Sequence, residues 1–424
     1  MKIKNFWFYN LPLFILLLAI GLSPSVSVGT ISSGKAIEVR AEDFLMIILG
    51  FFWLITFLVS GKNKIKEPPL LKPIFVWLSV GFFSLLVNWI LGNIYLTRGF
   101  FYFLKELQYF FIYFYVFYHL KDIHTAKILV WILMMVGFIN AGWVIFELIK
   151  GLKITYYYGP TPFIEPEGTF PGGGFFLLIF VFLLNLLLYY YLSLDVSFLK
   201  KVVFSVFIMS PAVGVISSGS RGCFVGLIVA FFLTFILYSF KKGALKSFAT
   251  AVVILTIIGG FFFFLQPPVL ERFLNTRNAL ENLNPEQSLS RPNIWIQQLN
   301  VAVEQPFLLF FGYGKSAILG GAGESHSQFV RNFVETGVIG SILFLLLIYI
   351  IARRSFRSFL SSRSSFSMGV SAGLFCCTLA MVAISITAEG FLVVKISEVY
   401  WFLVGITMAS IFIDNKDSNL VNIR

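Results

Sequence analysis

The sequence predicts an all-α fold, a polytopic membrane helix bundle of about twelve transmembrane helices. Its 424 residues are 58% hydrophobic and only 12% charged, with a mean hydropathy of +0.88. Soluble domains are about 45–50% apolar and about 25% charged, so a soluble chain of this composition could not cover its surface with polar groups. Apolar runs of roughly 20 residues, the length that crosses a bilayer, recur along the chain. A cytosolic enzyme, a secreted disulfide scaffold and a disordered chain are therefore excluded.

Twelve apolar runs, separated by polar residues, are predicted to form the spans. In chain order they are 6–22, 43–60, 74–91, 99–118, 128–147, 174–193, 202–217, 222–240, 247–265, 335–352, 368–388 and 396–413. Because Lys2 and Lys4 precede it, the first run also resembles a secretory signal peptide. No clear small-residue cleavage site follows in 23–29, so we expect this span to be retained.

The chain is expected to divide into three regions. Residues 1–265 contain the first nine spans, residues 266–334 form one large helical loop, and residues 335–424 contain the last three spans with a short tail. Nineteen of the 32 basic residues lie on the side of the termini. The positive-inside rule therefore predicts cytoplasmic termini and an extracytoplasmic 266–334 loop.

The charge and cysteine patterns argue against other partners and cofactors. The net charge of +12 includes no basic arm or aromatic-basic surface, so no nucleic acid partner is expected and membrane lipids are the surroundings. The three cysteines, Cys223, Cys376 and Cys377, fall in apolar stretches and predict neither a disulfide nor a zinc site. No phosphate-binding loop or metal-binding helix motif occurs, so neither a soluble nucleotide, a catalytic metal nor another cofactor is predicted.

Two arginines lie at the outer ends of predicted helices. Arg221 lies in the polar turn 217–222, and Arg291 precedes Pro292. Proline disfavours helix at the preceding residue and favours the first helical position, so an amphipathic helix is predicted at 292–305 with Arg291 as its N-cap. A guanidinium near free helix N–H groups is suited to bind phosphate oxygens, so both arginines are candidate anion-binding residues. The alternatives are an arginine that reaches lipid headgroups and an exposed loop arginine.

His326 follows a glycine-rich run in the long loop. Ser325 and Gln328 have the spacing of a capping box, which predicts His326 in the first turn of a helix leading to the tenth span. The helix dipole disfavours an imidazolium there, so a neutral histidine able to accept a proton is expected. The alternative is a histidine that only fills a polar cap.

Other ionisable residues near the outer boundary are weaker candidates. Arg40 opens the second span, and Arg331 and Glu335 follow His326, so these three are candidate substrate-binding residues. For Arg40 the alternative is a residue that only marks the interface. Lys105 and Glu106 are adjacent inside the fourth span and are expected to neutralise each other or to lie nearer the cytoplasmic side.

Taken together and in this order, three motifs resemble the O-antigen ligase and polymerase superfamily over roughly 200–350. They are Ser220-Arg221-Gly222 at the start of a span, Arg291 to Trp295 followed by Gly312-Tyr-Gly314, and His326-Ser327 followed by Gly337-Val-Ile-Gly340. Ser327 stands where the family more often has Asn, and the N-terminal half matches mainly in hydropathy.

The resemblance implies a GT-C-like, metal-independent, inverting glycosyltransferase in the bacterial inner (cytoplasmic) membrane, with its active site facing the periplasm. The implied donor is a glycan on undecaprenyl diphosphate, and the implied acceptor is lipid A–core. Arg221 and Arg291 would bind the diphosphate and stabilise the leaving group. His326 would be the catalytic residue, either as general base on the acceptor hydroxyl or by orienting it.

Two alternatives remain at this stage. An O-antigen polymerase would join lipid-linked repeat units. Polymerases of this superfamily usually carry a second arginine-bearing outer loop, whereas loop 148–173 has Lys150 and Lys153 but no arginine, which favours the ligase. A flippase or transporter of lipid-linked glycans belongs to another class. Transport sites lie near the membrane midplane, whereas the candidate residues here cluster at one surface.

Overall fold

The computed structural model describes residues 3–23, 25–30, 36–60, 67–149, 172–192, 197–218, 220–243, 291–317 and 325–421, and these form a bundle of helices. The helices are α1 (Ile3–Leu22), α2 (Ala41–Ser60), α3 (Leu71–Ile90), α4 (Leu96–His119), α5 (Ile123–Ile149), α6 (Gly172–Leu186), α7 (Phe198–Ser217), α8 (Arg221–Lys242), α9 (Arg291–Val303), α10 (Pro306–Phe311), α11 (Gln328–Ser361), α12 (Ser365–Ser385) and α13 (Val394–Val421). A π-helical turn, Leu187–Tyr191, extends α6. The predicted all-α membrane fold is confirmed.

Eight helices in the described ranges are long and apolar enough to cross a membrane. They are Leu71–Ile90, Ile123–Phe146, Gly173–Tyr191, Phe198–Ile216, Gly222–Lys241, Gln328–Ser361, Ser365–Ser385 and Val394–Lys416. Three further predicted spans coincide with the helices α1, α2 and α4. The predicted span 247–265 lies outside the described residues, as do 266–290 and 318–324 of the predicted loop.

The segment between α1 and α2 contains a small β-hairpin that the helical prediction missed. Strand β1 (Ser25–Thr30) pairs antiparallel with β2 (Ala36–Arg40), and Val26 lies opposite Val39. A hydrophobic residue at every second position is the pattern of a strand, and both segments have it. The hairpin leads directly into α2, so it fixes where the second span begins.

The centre of the bundle is formed by α6, α12 and α13. The apolar windows of these helices are 89%, 72% and 83% buried, against 33% for α3. Small residues allow the close approach: a Cβ on Gly373 of α12 would lie 3.1 Å from the carbonyl oxygen of Phe182 in α6. Such small-residue contacts are the usual means of packing helices inside a membrane.

Helix α11 is broken at Gly337, where the loop after α10 enters. Gly337 has φ 66° and ψ −165°, which is not helical. The break leaves the carbonyls of Val334 and Glu335 to accept bonds from outside the helix, from the N–H groups of Tyr313 at 2.7 Å and Gly314 at 3.1 Å. The first part of α11 is thereby fixed to the segment that follows α10.

Replacing Gly337 with alanine is expected to destabilise the protein by roughly 1–3 kcal/mol, the cost of holding a non-glycine residue in a sparsely populated backbone region. The added Cβ would also lie 2.4 Å from the backbone of Phe310. Thermal unfolding in detergent measures the effect, with Gly142→Ala as control, since a Cβ on Gly142 would meet nothing within 4 Å. Equal midpoints for the two variants would show that the break in α11 does not depend on glycine.

Candidate functional site

Two of the three segments that the sequence singled out contact one turn, residues 387–389, between α12 and α13, and the third segment contacts the second. At the start of α8, a Cβ on Gly222 would lie 3.2 Å from Oγ1 of Thr387. Ahead of α11, the N–H of Gln328 donates to the carbonyl of Ala388 at 3.1 Å. In α9, the indole Nε1 of Trp295 donates to the carbonyl of Ser325 at 2.6 Å. The 387–389 turn therefore contacts the beginnings of α8 and α11, and Trp295 connects α9 to the segment just before α11.

Both candidate arginines are the first residues of helices. Helix α8 begins at Arg221 with Ser220 as its N-cap, whose hydroxyl accepts from the N–H of Cys223 at 3.5 Å. Helix α9 begins at Arg291 and ends at Val303, close to the predicted 292–305. The side chains of Arg221 and Arg291 lie outside the described part of the structure. Their backbone positions put each at a helix N-terminus, where free N–H groups favour anions.

The capping box predicted for His326 is wrong. Helix α11 begins at Gln328, with Ser327 rather than Ser325 before it. The hydroxyl of Ser325 instead contacts the carbonyl of Ser327 at 3.1 Å and Oε1 of Glu389 at 3.1 Å, and it accepts from the N–H of Ser327, which precedes the helix, at 3.4 Å. His326 is an exposed residue with φ 50°, two positions before the helix rather than in its first turn.

Arg331 links the 387–389 turn to α11. Its Nε lies 2.8 Å from Oε1 of Glu335, one turn along the helix, and its Nη1 lies 2.5 Å from Oε2 of Glu389. The guanidinium also lies 5.0 Å from the ring centre of Tyr102. Arg331 and Glu335, two of the predicted substrate-binding residues, are thus paired with each other, and Glu335 is buried.

A buried lysine continues this chain of charges into the bundle. Lys315 lies 3.4 Å from Oε2 of Glu335, forms an ion pair with Glu106 of α4, and sits 4.7 Å from the ring centre of Trp77. The N–H of Ser316 donates to Oε1 of Glu335 at 2.9 Å. Because buried charges are stable only when paired, the segment after α10 is held firmly against α4 and α11.

The expected pairing of Lys105 with Glu106 is therefore wrong. Neighbouring residues on a helix point in different directions, so each of the two finds its own partner. Lys105 lies 2.7 Å from Oδ1 of Asp43 in α2, and Glu106 pairs with Lys315.

A second buried cluster surrounds the start of α2, where Arg40 was predicted to bind substrate. The backbone N–H of Arg40 donates to Oδ2 of Asp43 at 3.0 Å, and the Arg40 side chain is buried. Glu42 accepts from Ser23 and lies 3.4 Å from Lys395 at the start of α13. Lys395 also donates to the carbonyls of Ile20 and Ser23, at 2.8 and 2.9 Å. This cluster joins the ends of α1, α2 and α13.

The described residues contain no group of three or more His, Cys, Asp or Glu arranged to hold a metal ion. The three cysteines are buried and unbonded to one another. What the site does contain is a histidine in front of a helix, the N-termini of two helices that begin with arginine, and a set of paired charges that holds these segments together.

A comparison with protein families identifies this region. Residues 204–345 match the family described as O-Antigen ligase. Residues 204–345 are thus similar to the O-antigen ligase family. The match supports the O-antigen ligase and polymerase superfamily, and with it a membrane enzyme of the glycosyl-transfer type. A search of the curated proteins found no match.

The matched range includes every residue of the three motifs, from Ser220 to Gly340, but it ends before the 387–389 turn. Glu389 therefore lies outside the matched range, and only the folded chain places it beside Ser325 and Arg331. Sequence reasoning missed Glu389 and Lys315. Glu389 could have been found as an acidic residue in a short turn between two apolar runs. Lys315 could have been found as a cation directly after the Gly-Tyr-Gly segment.

Proposed function

We propose that this chain transfers an O-antigen glycan from undecaprenyl diphosphate to lipid A–core by a metal-independent, inverting displacement. The observation that carries the proposal is the contact of the starts of α8 and α11 with the 387–389 turn, together with the contact of α9 with Ser325 just before α11. It gathers the three superfamily motifs, although Arg221, Arg291 and His326 are far apart in the sequence.

Each of these three residues has one role in the proposed reaction. The acceptor hydroxyl oxygen attacks the anomeric carbon of the donor sugar while the bond from that carbon to the diphosphate oxygen breaks, so a single displacement inverts the configuration. His326 takes the proton of the hydroxyl. Arg221 and Arg291, each at a helix N-terminus, stabilise the negative charge that develops on the departing undecaprenyl diphosphate. Paired cations can do this without a metal ion.

Arg331 and Glu335 contribute to this site indirectly, by fixing the positions of the segments around it. Because Arg331 contacts both Glu335 and Glu389, it fixes the 387–389 turn to the first part of α11, on either side of His326. Placement of a catalytic group to within a fraction of an ångström is what supporting ion pairs and hydrogen bonds provide. Arg40 would do the same for the neighbouring ends of α1, α2 and α13.

The membrane and the side of the site follow from the charge distribution. The basic residues predict the termini on the cytoplasmic side, and α11 then runs from the outer to the inner face. In a bacterial inner membrane the 387–389 turn would then face the periplasm, where lipid A–core and a flipped lipid-linked glycan would both be present.

The test is a lipopolysaccharide gel from a null strain that lacks only this chain, carrying either the unchanged chain or a variant. We expect polymer attached to core with the unchanged chain, and free lipid-linked polymer with bare core when Arg221 or Arg291 is replaced by alanine. Arg363→Ala, a change between α11 and α12 at the opposite end of the bundle, is the control and should leave attachment intact.

Two outcomes would overturn the proposal. Core bearing a single repeat unit in the absence of this chain, with polymer restored by it, would identify a polymerase. Loss of all extracytoplasmic glycan would identify a flippase.

A further inference from the structure

A cavity of about 850 Å³ opens at the end of the bundle opposite to the 387–389 turn. It lies between the start of α3, the last part of α11 and the last part of α13. Helix α11 connects the two ends: at 1.5 Å per residue, its unbroken part from Val338 to Arg357 spans roughly 28 Å. Since the hydrocarbon core of a bilayer is about 30 Å thick, the cavity lies at the level of the other headgroup layer.

The mouth of this cavity is strongly basic. Lys72, Arg353, Arg354 and Arg357 line it, and Glu67 is the acidic residue among its lining residues. We call this space the inner basic cavity. All three arginines are exposed, and the Lys72 side chain is 85% exposed and 3.7 Å from Glu67. An exposed ion pair of that length contributes little, so the four cations are available to a ligand.

The wall of the cavity is apolar towards the membrane. Ile350 of α11 and Met408, Ile411 and Phe412 of α13 contribute it. A volume of 850 Å³ lies within the range of about 300–1,000 Å³ that small-molecule sites occupy. The combination of a cationic mouth and an apolar wall fits a ligand that is anionic at one end and hydrocarbon at the other.

We propose that the inner basic cavity binds an anionic phospholipid of the cytoplasmic leaflet, with its phosphate on Arg353, Arg354 and Arg357 and an acyl chain along the α13 wall. Guanidinium groups bind phosphate oxygens through paired hydrogen bonds. Basic pockets between transmembrane helices at the cytoplasmic face are suited to such headgroups, and each basic residue near the surface adds to the attraction. The site is distinct from the proposed glycan site and does not depend on it.

The position of the cavity suggests a consequence for the enzyme. Its three arginines are on α11, the helix that begins two residues after His326 and contains Arg331 and Glu335. A lipid held between α3, α11 and α13 would fix the inner ends of these helices relative to one another, and so stabilise the folded bundle.

The experiment uses the purified full-length protein in a zwitterionic detergent, with lipid added as mixed micelles. Diphosphatidylglycerol, phosphatidylglycerol and phosphatidylethanolamine are compared by native mass spectrometry and by thermal unfolding. We expect the two anionic lipids to be retained and to raise the unfolding midpoint, and phosphatidylethanolamine to do neither. The triple variant R353Q/R354Q/R357Q should weaken retention of the anionic lipids at least about tenfold.

The matched control removes three charges from the same face but outside the cavity, in K200Q/K201Q/R363Q, and should bind as the unchanged protein does. Equal losses in both triple variants, or none in the first, would overturn the proposal. So would binding of inorganic phosphate or diphosphate as tight as that of the lipids, because the site would then be one for a soluble anion. If the triple variant does not fold, the three single variants are measured in the same way, and at least one must weaken retention about threefold or the proposal fails.

Discussion

Replacing His326 with asparagine is expected to abolish glycan attachment while the protein still inserts and folds. Asparagine tolerates a positive φ better than other non-glycine residues, so it suits the φ of 50° at this position. It cannot accept the proton of the acceptor hydroxyl, and loss of a general base costs about 100-fold to 10,000-fold in rate. The lipopolysaccharide gel gives the qualitative result, and a membrane assay with lipid-linked donor gives the rate.

Two companion variants separate chemistry from backbone geometry. Alanine at position 326 removes the base and also carries the cost of the left-handed conformation, about 1–2 kcal/mol. If the backbone were the reason for lost activity, H326A would be inactive and H326N would retain activity. If His326 is the base, both lose the reaction to the same extent.

The control is H124A, an exposed histidine near the start of α5 at the opposite end of the bundle. It should attach glycan normally. An active H326N would contradict the assignment of His326 as the base and leave it only an orienting role.

The sequence was sufficient to predict those structural elements that depend on residues close together in the chain. Runs of apolar residues predict spans because each helix in a bilayer satisfies its own backbone. A proline at position 292 predicts a helix start within one residue of the observed one. The same local reasoning failed at Ser325, because its hydroxyl has a partner 64 positions further along the chain, Glu389.

Pairings between distant residues could not be predicted in this way. Glu106 and Lys315 are 209 positions apart, and only the packing of the segment after α10 against α4 brings them together. The sequence puts Glu106 inside the fourth predicted span and Lys315 in the 266–334 loop, and it does not indicate that the two are partners. The convergence at the 387–389 turn has the same origin, since α12 and α13 carry none of the three motifs.

The largest effect on stability is expected from replacing Lys315 with methionine. Methionine is similar in length and volume, so the change removes the charge and leaves little empty space. It leaves Glu106 facing Glu335 without the lysine between them, and both carboxyl groups are buried, at 5% and 1% exposure. One oxygen of Glu106 already has no hydrogen-bond partner. Breaking a buried pair by removing one member costs about 3–5 kcal/mol, because the other charge stays behind.

Unfolding in detergent, by heat or by denaturant, measures this loss. Lys72→Met is the control, because the Lys72–Glu67 ion pair is exposed and its nitrogen–oxygen distance is 3.7 Å. Loss of this pair should cost no more than about 1 kcal/mol. Equal stability of the two variants would mean that Lys315 is not buried with its partners.

The double variant K315M/E106Q decides whether the charge itself is responsible. If the penalty comes from the uncompensated carboxylate of Glu106, a neutral amide in its place should restore most of the stability, since a buried pair can be replaced by uncharged groups at little cost. If the loss came from altered packing around Trp77, the second change would restore no stability.

Glycan attachment should change in the same direction as stability, with a loss in K315M and a recovery in K315M/E106Q. Lys315 and Ser316 both contact Glu335, Glu335 contacts Arg331, and Arg331 holds the 387–389 turn beside His326. Recovery of attachment in the double variant would therefore connect the buried charges to the reaction.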